Sequence, residues 1–471
     1  MWTKVAQMTM RKTLIGHIHE DVLSFTAGKD TILDATLVEA DCIGSAAHVT
    51  MLARVPVKPR LFTARETKKI IKELVDIIRR ARRGSFTISS RDQDVHLAIE
   101  RVLTRHLGDV GKRIHTARSR NDQIAVDVRL YGKEELLNVM DAALEVTDVV
   151  LKFARKYASL PMVGRTHMQP AMPSSVGLWA SAHAESLLDD MTLLISVYEL
   201  NDRCPLGSAA GYGVPLEIDR NLTAQLLGFK EPIHNVLYAA NARGKCESAI
   251  LAALSQVMLS LSRLAEDMIL YSMPEFGYFH LPPEYGTGSS IMPQKNNPDV
   301  LELIRARAAK VLSCASTTAA IMRGLPSGYN RDLQETKEPF IEGIQTTSSC
   351  LRIVALLMKK VKANKNALLS GFTPEVFATD WALDLTASGM SFRDAYRHVK
   401  AHLQELSHID PATAIARKTH LGAPMGLDID GLTSRSEKFK KFANEQRKRF
   451  YASISKLLGV KYPELRASKR K

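Results

Sequence analysis

The sequence predicts an all-α fold in which a central bundle of long helices lies between two small, mostly helical domains. Aromatic residues account for 6% of the 471 residues, whereas hydrophobic residues account for 45%, so the core is mainly aliphatic. Many of these residues are Ala and Leu, which are strong helix formers. Five long stretches also lack proline, which ends helices, namely residues 121–160, 174–201, 235–273, 299–323 and 340–362.

Residues 1–120 are predicted to form the N-terminal small domain, because their segments are short and separated by turn signals. The clearest helix among them begins after Thr63, which matches a capping box with Glu66, and continues to about residue 83. Isoleucine and leucine residues recur at helical spacing on one side of this segment. This pattern is typical of an amphipathic helix that packs against a core.

Residues 121–362 are predicted to form the central bundle. At ~1.5 Å per residue, helices of these lengths span roughly 35 to 60 Å, which is long for a compact single domain. The stretch 249–270 carries apolar residues on more than one face. Such helices have to bury a second face, which favours a homo-oligomer, although a large monomeric helical core would also bury it.

Residues 363–471 are predicted to form the C-terminal small domain with a basic tail. The chain has 64 Lys and Arg against 50 Asp and Glu, a net charge of +14, which raises nucleic-acid binding as an alternative function. Residues 438–471 contain twelve Lys or Arg and only two Glu, so ten of the fourteen charges belong to the tail. A solvated surface is the simpler interpretation, and nucleic acid is not expected as a partner.

Composition favours a soluble, cytoplasmic protein. Residues 1–12 lack the apolar core of a signal peptide. Polar and charged residues interrupt the most apolar long segment, residues 246–273, so no membrane span is expected. The five cysteines are odd in number and scattered, with no Cys-x-x-Cys pair and no histidine at ligand spacing. They are expected to be reduced and structural, and no metal site is predicted.

The stretch that best suits chemistry is GSSIMPQKNNPD at residues 288–299. Its glycine and serines leave backbone amides open to a ligand, Lys295 supplies a fixed cation and Asn297 supplies an amide. The Asn-Pro-Asp sequence predicts a helix start with Asn297 as the N-cap, and helix N-termini attract anions. A carboxylate bound here would lie beside the hydroxyl of Ser289, although an ordinary polar loop before a helix is the plain alternative.

This stretch resembles the signature of the fumarase/aspartase superfamily, Gly-Ser-Ser-x-Met-Pro-x-Lys-x-Asn-Pro, and matches every fixed position. Members of that superfamily eliminate fumarate from a succinyl compound. Gln294, at a variable position, resembles the argininosuccinate lyase branch. The resemblance extends over about residues 25–395 and implies a fumarase/aspartase-like fold.

A second cluster, at residues 114–123, combines two arginines with several hydrogen-bonding side chains where the first long helix begins. Its SRNDQ sequence resembles an argininosuccinate lyase motif, which implies that Ser119, Arg120 and Asn121 contact substrate. The upstream segment DQDVH, residues 92–96, resembles the acidic-histidine motif of the same branch. Its acids would suit a substrate with a guanidinium group, although a surface loop explains them about as well.

A third cluster, GRTHMQP at residues 164–170, places a histidine beside Thr and Gln in a loop bounded by glycine and proline. A lone histidine is usually a hydrogen-bonded structural group, but one in this setting merits a catalytic hypothesis. It resembles the family motif Gly-x-Thr-His-x-Gln, which implies that Thr166 binds substrate and His167 takes part in proton transfer. In the family this histidine pairs with an acid on the helix after the signature. That position is Glu302 here.

The last motif is LPSGYNRDLQETK at residues 325–337. By spacing alone it is a loop between helices followed by a helix surface. It resembles the family sequence Leu-Pro-Ser-x-Tyr-Asn-x-Asp-Leu-Gln-Glu-x-Lys, which implies that Tyr329, Gln334 and Lys337 hold the substrate.

Two segments depart from the family pattern. Family members commonly have Phe-Asn-Ala-Ser near the N-terminus, with the serine touching substrate, but residues 25–30 read FTAGKD and the distance onward to Asp41 is two residues longer. No site residue is assigned there. Residues 241–244 read NARG, so Arg243 is kept whereas its usual acidic neighbours are absent.

Together these resemblances imply a homotetrameric lyase similar to argininosuccinate lyase, which would cleave argininosuccinate to arginine and fumarate without a metal or an organic cofactor. The resemblance implies sites built from three chains, which agrees with motifs that lie at opposite ends of long helices. Ser289 is the candidate base, assisted by Lys295, and His167 with Glu302 is the candidate proton partner of the leaving group. The sequence leaves open which of Ser289 and His167 is acid and which is base.

Two alternatives remain open at this point. A sister lyase acting on adenylosuccinate, aspartate or malate would keep Ser289 and Lys295 but would not need Tyr329, Gln334 and Lys337. A catalytically silent structural protein of the crystallin type would keep only the helix bundle.

Overall fold

The N-terminal part of the molecule is a hairpin followed by six helices. Residues 38–114 supply most of a hydrophobic core, which we call the N-terminal core and to which later parts of the chain also contribute. The computed structural model describes residues 10–13, 16–89 and 92–467. Two predicted features lie partly outside the described residues. They are the N-terminal stretch expected to lack a signal peptide, of which residues 1–9 are outside, and the basic tail, of which the last four residues are outside. The elements are β1 (Met10–Thr13), β2 (Gly16–His19), α1 (Glu20–Ala27), α2 (Asp30–Leu33), α3 (Val38–Leu52), α4 (Ala64–Arg82), α5 (Val95–Leu107) and α6 (Asp109–Lys112).

The predicted start of α4 is confirmed. The Thr63 hydroxyl accepts a bond from the Glu66 amide, and the Glu66 carboxylate accepts one from the Thr63 amide. Ile70, Leu74 and Ile78 then point into the N-terminal core, as the helical spacing predicts.

The predicted long stretches all appear as helices of the central bundle. The elements are α7 (Arg120–Lys156), α8 (Val176–Asn201), α9 (Arg220–Leu226), α10 (Val236–Asn241), α11 (Lys245–Ser272), α12 (Asp299–Met322) and α13 (Lys337–Met358). The stretch 235–273 is split into α10 and α11, because Gly244 has a φ of 77° that does not fit a helix. A short 3-10 helix, Arg331–Thr336, leads into α13.

Helix α11 lies in the bundle core and packs against α8, α12 and α13. By length and composition alone it is the one helix of the described residues that could cross a membrane, a property that core helices of soluble proteins share. Ile250, Leu254 and Leu261 on it are fully buried among aliphatic neighbours. The apolar side chains of α11 therefore pack in the core of the bundle.

Short strands connect the long helices. A hairpin of β3 (Pro161–Thr166) and β4 (Gln169–Ser175) joins α7 to α8, where the sequence predicted only a loop. The other strands have two residues each and are β5 (Arg203–Cys204), β6 (Glu231–Pro232), β7 (Phe279–His280), β8 (Thr287–Gly288), β9 (Asn296–Asn297) and β10 (Lys362–Ala363). The pair β8–β9 is antiparallel, β5–β6 is parallel and β7 pairs with β10.

The C-terminal part combines short helices with one long one. The elements are α14 (Lys365–Ser370), α15 (Ala378–Ala387), α16 (Phe392–Ala401), α17 (Pro411–Ala416), α18 (Ile429–Leu458), β11 (Val460–Lys461) and β12 (Arg466–Ala467). Phe377, Ala395 and Val399 belong to a small separate cluster. Helix α18 instead packs against α7 and α8 and inserts Phe450 and Ile454 into the N-terminal core. The division at residues 120 and 362 stays a prediction.

The bundle has two distinct ends. At one end, which we call the cavity end, Cys246 at the start of α11 contacts Asn201 at the end of α8, and Arg129 near the start of α7 donates to the carbonyl oxygen of Asn201 at 3.2 Å. At the other, the loop end, Trp179 near the start of α8 donates to Asp267 near the end of α11 at 2.8 Å. Helix α11 has 28 residues, so the two ends lie about 40 Å apart.

Candidate active site

A polar cavity of about 380 Å³ lies at the cavity end of the bundle. Five residues predicted to bind substrate line it, namely Arg120, Asn121, Tyr329, Gln334 and Lys337. The remaining lining residues are Asp30, Asp34, Asp94, His96, Ile124, Arg243 and Arg331. Cations and carboxylates therefore face the same space.

The start of α7 presents Arg120 and Asn121 to this cavity. Ser119 is the N-cap, because its hydroxyl accepts a bond from the Asn121 amide at 3.2 Å and its own amide donates to Asp122 at 2.9 Å. Asp122 also accepts from the amides of Gly207 and Ala209, each at 3.0 Å, and its burial raises its pKa to about 6. Ser119 therefore caps helix α7 beside the cavity and is not one of the residues that line it.

Lys337, the first residue of α13, is buried and ties two segments together. Its ammonium group donates to Asp30 at 2.9 Å and to Asp34. Asp34 also accepts a bond from the Val95 amide at 3.0 Å. A buried ammonium has to be paired in this way, because an isolated buried charge is very costly.

The 3-10 helix before α13 holds the end of α1 in place. The side chains of Gln334 and Arg331 both donate to the carbonyl oxygen of Thr26, at 3.1 and 2.8 Å. Residues 25–30, to which the sequence assigned no site residue, therefore form one wall of the region around the cavity.

The acidic-histidine segment is an internal element rather than a surface loop. Asp92 is buried and accepts two bonds from Arg101, at 2.6 and 2.9 Å. Asp94 caps α5 by accepting from the Leu97 amide at 2.9 Å, and it also pairs with Arg120. Burial lowers the pKa of Arg120, and the charge of Arg331 lowers it further.

A buried triad of Asp41, His96 and Asp127 lies at the wall of the cavity. Nδ1 of His96 is bonded to Asp41 and lies 3.7 Å from Asp127. Burial alone would lower the pKa of His96, but the Asp41 carboxylate outweighs it, so the pKa is raised. Burial raises the pKa of Asp127, whose two oxygens have no hydrogen-bond partner among the described residues.

This triad is the group of described residues that could hold a metal ion, because its ligand atoms lie within 4.8 Å of one another. The buried guanidinium of Arg118 interacts with the same carboxylates of Asp41 and Asp127. This guanidinium already places a positive charge of the chain itself beside the triad.

The other predicted site residues lie at the loop end. Thr166 and His167 are exposed at the turn of the β3–β4 hairpin, where His167 and Met168 have φ values of 53° and 64°. The guanidinium of Arg165 lies 4.8 Å from the centre of the Phe276 ring, which follows α11. The hairpin turn is thereby fixed beside the end of α11.

Residues 288–298, which run from the end of β8 through β9 to the start of α12, form what we call the signature loop. The Ser289 oxygen accepts bonds from the amides of Met292, at 3.0 Å, and Ile291, at 3.3 Å. Lys295 is exposed in this loop, and Glu302 is exposed in the first turn of α12. Two backbone N–H groups aimed at one hydroxyl oxygen stabilise negative charge on it.

The predicted N-cap of α12 is wrong by one residue. The helix begins at Asp299, so Pro298 occupies the cap position, and Asn297 instead pairs with Thr287 in the β8–β9 ladder. Asn297 lines a small cavity at the loop end together with Gln294 and Asn296.

The structure therefore divides the predicted site residues into two groups within one chain. Arg120, Asn121, Tyr329, Gln334 and Lys337 line one cavity. Thr166, His167, Ser289, Lys295, Asn297 and Glu302 lie at the loop end, about 40 Å away along α11. The sequence did not assign Asp30, Asp34, Asp94, His96 and Arg331 to the cavity. Asp94 and His96 stood in a noted motif, whereas only tertiary contacts reveal Asp30 and Asp34.

Comparison with solved structures shows the fold. An EDDS lyase in complex with formate has a TM-score of 0.75 and 21% identity, covering 94% of this chain and 97% of its own. A fumarate lyase/delta crystallin from Brucella melitensis bound to cobalt has a TM-score of 0.69 and 20% identity, covering 92% and 99%. A class II fumarase from Schistosoma mansoni has a TM-score of 0.67 and 17% identity, covering 87% and 100%. The chain therefore shares the all-α fold of these lyases, as predicted.

Sequence comparison shows the family. A family model described as a lyase matches residues 17–313. Argininosuccinate lyase from Phocaeicola vulgatus is 42% identical over 81% of this chain and 85% of its own. Argininosuccinate lyase from Bacteroides fragilis is 41% identical over 91% of this chain and 94% of its own. The enzyme of the same name from Thermotoga neapolitana is 41% identical over 81% of this chain and 95% of its own. The chain is a lyase of this family and belongs to its argininosuccinate lyase branch.

Proposed function

We propose that this protein eliminates fumarate from argininosuccinate and releases arginine. The observation that carries the proposal is the gathering of Arg120, Asn121, Tyr329, Gln334 and Lys337 in one cavity whose walls also hold carboxylates. A substrate with three carboxylates and a guanidinium needs groups of both signs, and this cavity offers both. The relatives named above carry this activity in their names.

In the proposed mechanism a base removes the proton from the carbon next to a succinyl carboxylate, which leaves an aci-carboxylate. The C–N bond then breaks while an acid protonates the departing guanidino nitrogen. Ser289 is our candidate base, because the amides of Ile291 and Met292 stabilise negative charge on its oxygen. Lys295 adds a positive charge in the same loop, and His167 supported by Glu302 is the candidate partner for the leaving nitrogen.

We further propose a cytoplasmic homotetramer whose sites are shared between chains. The two groups of site residues cannot meet within one chain, because α11 holds them about 40 Å apart. Exposed leucines on four bundle helices, Leu193, Leu259, Leu312 and Leu356, offer apolar surface for other copies to cover. All five cysteines are free and buried, which suits a reducing compartment. As proposed, the reaction needs neither a metal nor an organic cofactor.

The activity is tested by measuring fumarate release from argininosuccinate, adenylosuccinate, aspartate and malate in parallel. Argininosuccinate is expected to be the preferred substrate. A preference for any of the other three would assign the protein to a sister activity, and the absence of release from all four would favour the silent structural alternative.

A further inference from the structure

One of the three carboxylates in the cavity comes from the segment that departs from the family pattern. Residues 25–30 read FTAGKD in place of the family's Phe-Asn-Ala-Ser, and Asp30 lies in this segment. The bonds from Gln334 and Arg331 to the Thr26 carbonyl oxygen hold the segment against the 3-10 helix. Asp30 consequently begins α2 at the cavity wall, with its side chain mostly buried.

The three carboxylates differ in how many of their oxygens accept a hydrogen bond from the protein. Asp34 accepts from Lys337 with one oxygen and from the Val95 amide with the other. Asp94 accepts from the Leu97 amide with one oxygen and from Arg120 with the other. Asp30 accepts from Lys337 at 2.9 Å with one oxygen only. Among the residues that the structure describes, none donates to its second oxygen.

The partner of Asp30 is likewise only partly used. The Lys337 ammonium has three N–H bonds, of which two go to Asp30 and Asp34. A carboxylate and an ammonium group side by side, each with unused bonding capacity, are complementary to the ammonium and carboxylate of an α-amino acid. The ammonium group of such a ligand would face Asp30, and its carboxylate would face Lys337.

Resting on the proposed function, we infer that Asp30 is a specificity residue that binds the α-ammonium group of the arginine part of the substrate. Lys337 then takes the neighbouring α-carboxylate. Because the free oxygen of Asp30 has no protein donor to lose, it gains a charge-assisted bond when the substrate enters. Arginine derivatives without an α-ammonium group would leave this buried carboxylate unsatisfied and would be rejected.

The bland alternative is that Asp30 only neutralises Lys337. The next ion pair along the same two segments provides a control, because Lys29 pairs with Glu338 at 2.6 Å and the two side chains are 64% and 44% exposed. Glu338 does not line the cavity. Glu338→Gln therefore breaks a neighbouring link between the same segments without changing the cavity.

The test uses the reverse reaction, in which fumarate condenses with a guanidino compound. Arginine is compared with 5-guanidinopentanoate, which is arginine without its α-amino group, through kcat/KM or, where a compound is not turned over, its inhibition constant. Asp30→Asn is expected to lower kcat/KM for arginine by about 10- to 100-fold and to leave the analogue nearly unchanged. Asp30→Glu should restore part of the preference, and Glu338→Gln should keep it.

If Asp30→Asn lowered kcat/KM for arginine and for the analogue by the same factor, the inference would be overturned, since the loss of a purely structural residue affects both compounds alike. Unchanged preference in that variant would overturn it as well. Wild-type protein that fails to condense fumarate with arginine would instead overturn the proposed function.

Discussion

At the scale of single residues, the most informative atom is the Ser289 oxygen. A free serine hydroxyl is a weak base, so a serine that removes a carbon-bound proton needs its oxyanion stabilised in advance. The amides of Ile291 and Met292 already point at this oxygen, and Lys295 lies in the same loop. The neighbouring Ser290 is exposed and makes no side-chain bond among the described residues.

We predict that Ser289→Ala lowers turnover by about 10²- to 10⁴-fold, the usual contribution of a general base. The assembled protein should persist, because the loop is at the surface and carries little of the core. Initial rates of fumarate release and size-exclusion chromatography measure the two effects. Ser290→Ala is the matched control and should keep its activity. A near wild-type rate for Ser289→Ala would remove this residue from the mechanism.

Some of these site residues could be predicted from the sequence and others could not. Ser289 and His167 stood in motifs with several fixed neighbours, so they could be proposed from the sequence. Asp30 and Asp34 could not, because nothing around them signals a site until α13 brings Lys337 against them. Their role follows from contacts between residues about 300 positions apart in the chain.

At the scale of elements, the break between α10 and α11 has the clearest physical cause. Gly244 adopts a φ of 77°, and a Cβ added there would lie 2.5 Å from the Met322 side chain at the end of α12. The break directs the chain so that Arg243 lines the cavity just before α11 begins. Glycine is thus required by both backbone conformation and packing.

We predict that Gly244→Ala lowers the free energy of unfolding by about 2 to 4 kcal/mol, from backbone strain and the clash with Met322. Gly324→Ala is a matched control, because Gly324 has a φ of 78° but open space around it, and should cost only about 1 kcal/mol. Denaturant unfolding compares the two. Equal losses would show that Met322 gives way and that backbone strain alone matters.

The long helices were the most predictable elements, because the absence of proline and a dense aliphatic pattern determine them locally. Shorter features were less predictable. The β3–β4 hairpin turns at two residues with positive φ, His167 and Met168, and neither is the glycine or asparagine that marks a tight hairpin turn in a sequence. Helix α18 was grouped with the short C-terminal segments, yet its 30 residues pack across two cores.

At the scale of the whole molecule, the separation of the two groups of site residues decides how the protein can work. The cavity end holds Arg120 and Lys337, and the loop end holds His167 and Ser289. Rigid helices cannot shorten to bring them together. Only an assembly in which different chains bring opposite ends together can complete a site of the proposed kind.

We predict that two inactive variants restore activity when their chains are mixed. Ser289→Ala damages the loop end and Arg120→Ala damages the cavity end. If sites are shared between chains as proposed, some sites of the mixed assembly receive both intact groups. Fumarate release is measured after the subunits are exchanged by mild denaturation and refolding.

Mixing Ser289→Ala with Lys295→Ala is the control for this experiment, because both changes lie in one loop and every shared site would keep one of them. Activity is expected in the first mixture and not in the second. If the first mixture stayed as inactive as its parents, each site would be complete within a single chain.

The sequence by itself determined the helical class, the long helices and the motifs, because proline placement, aliphatic spacing and short signatures act over neighbouring residues. The tertiary structure alone decided which motifs meet, because the lengths and packing of α7 and α11 set the distance between their ends. It also decided that Asp30 faces the cavity with one oxygen free, since that depends on a contact with Lys337 far along the chain.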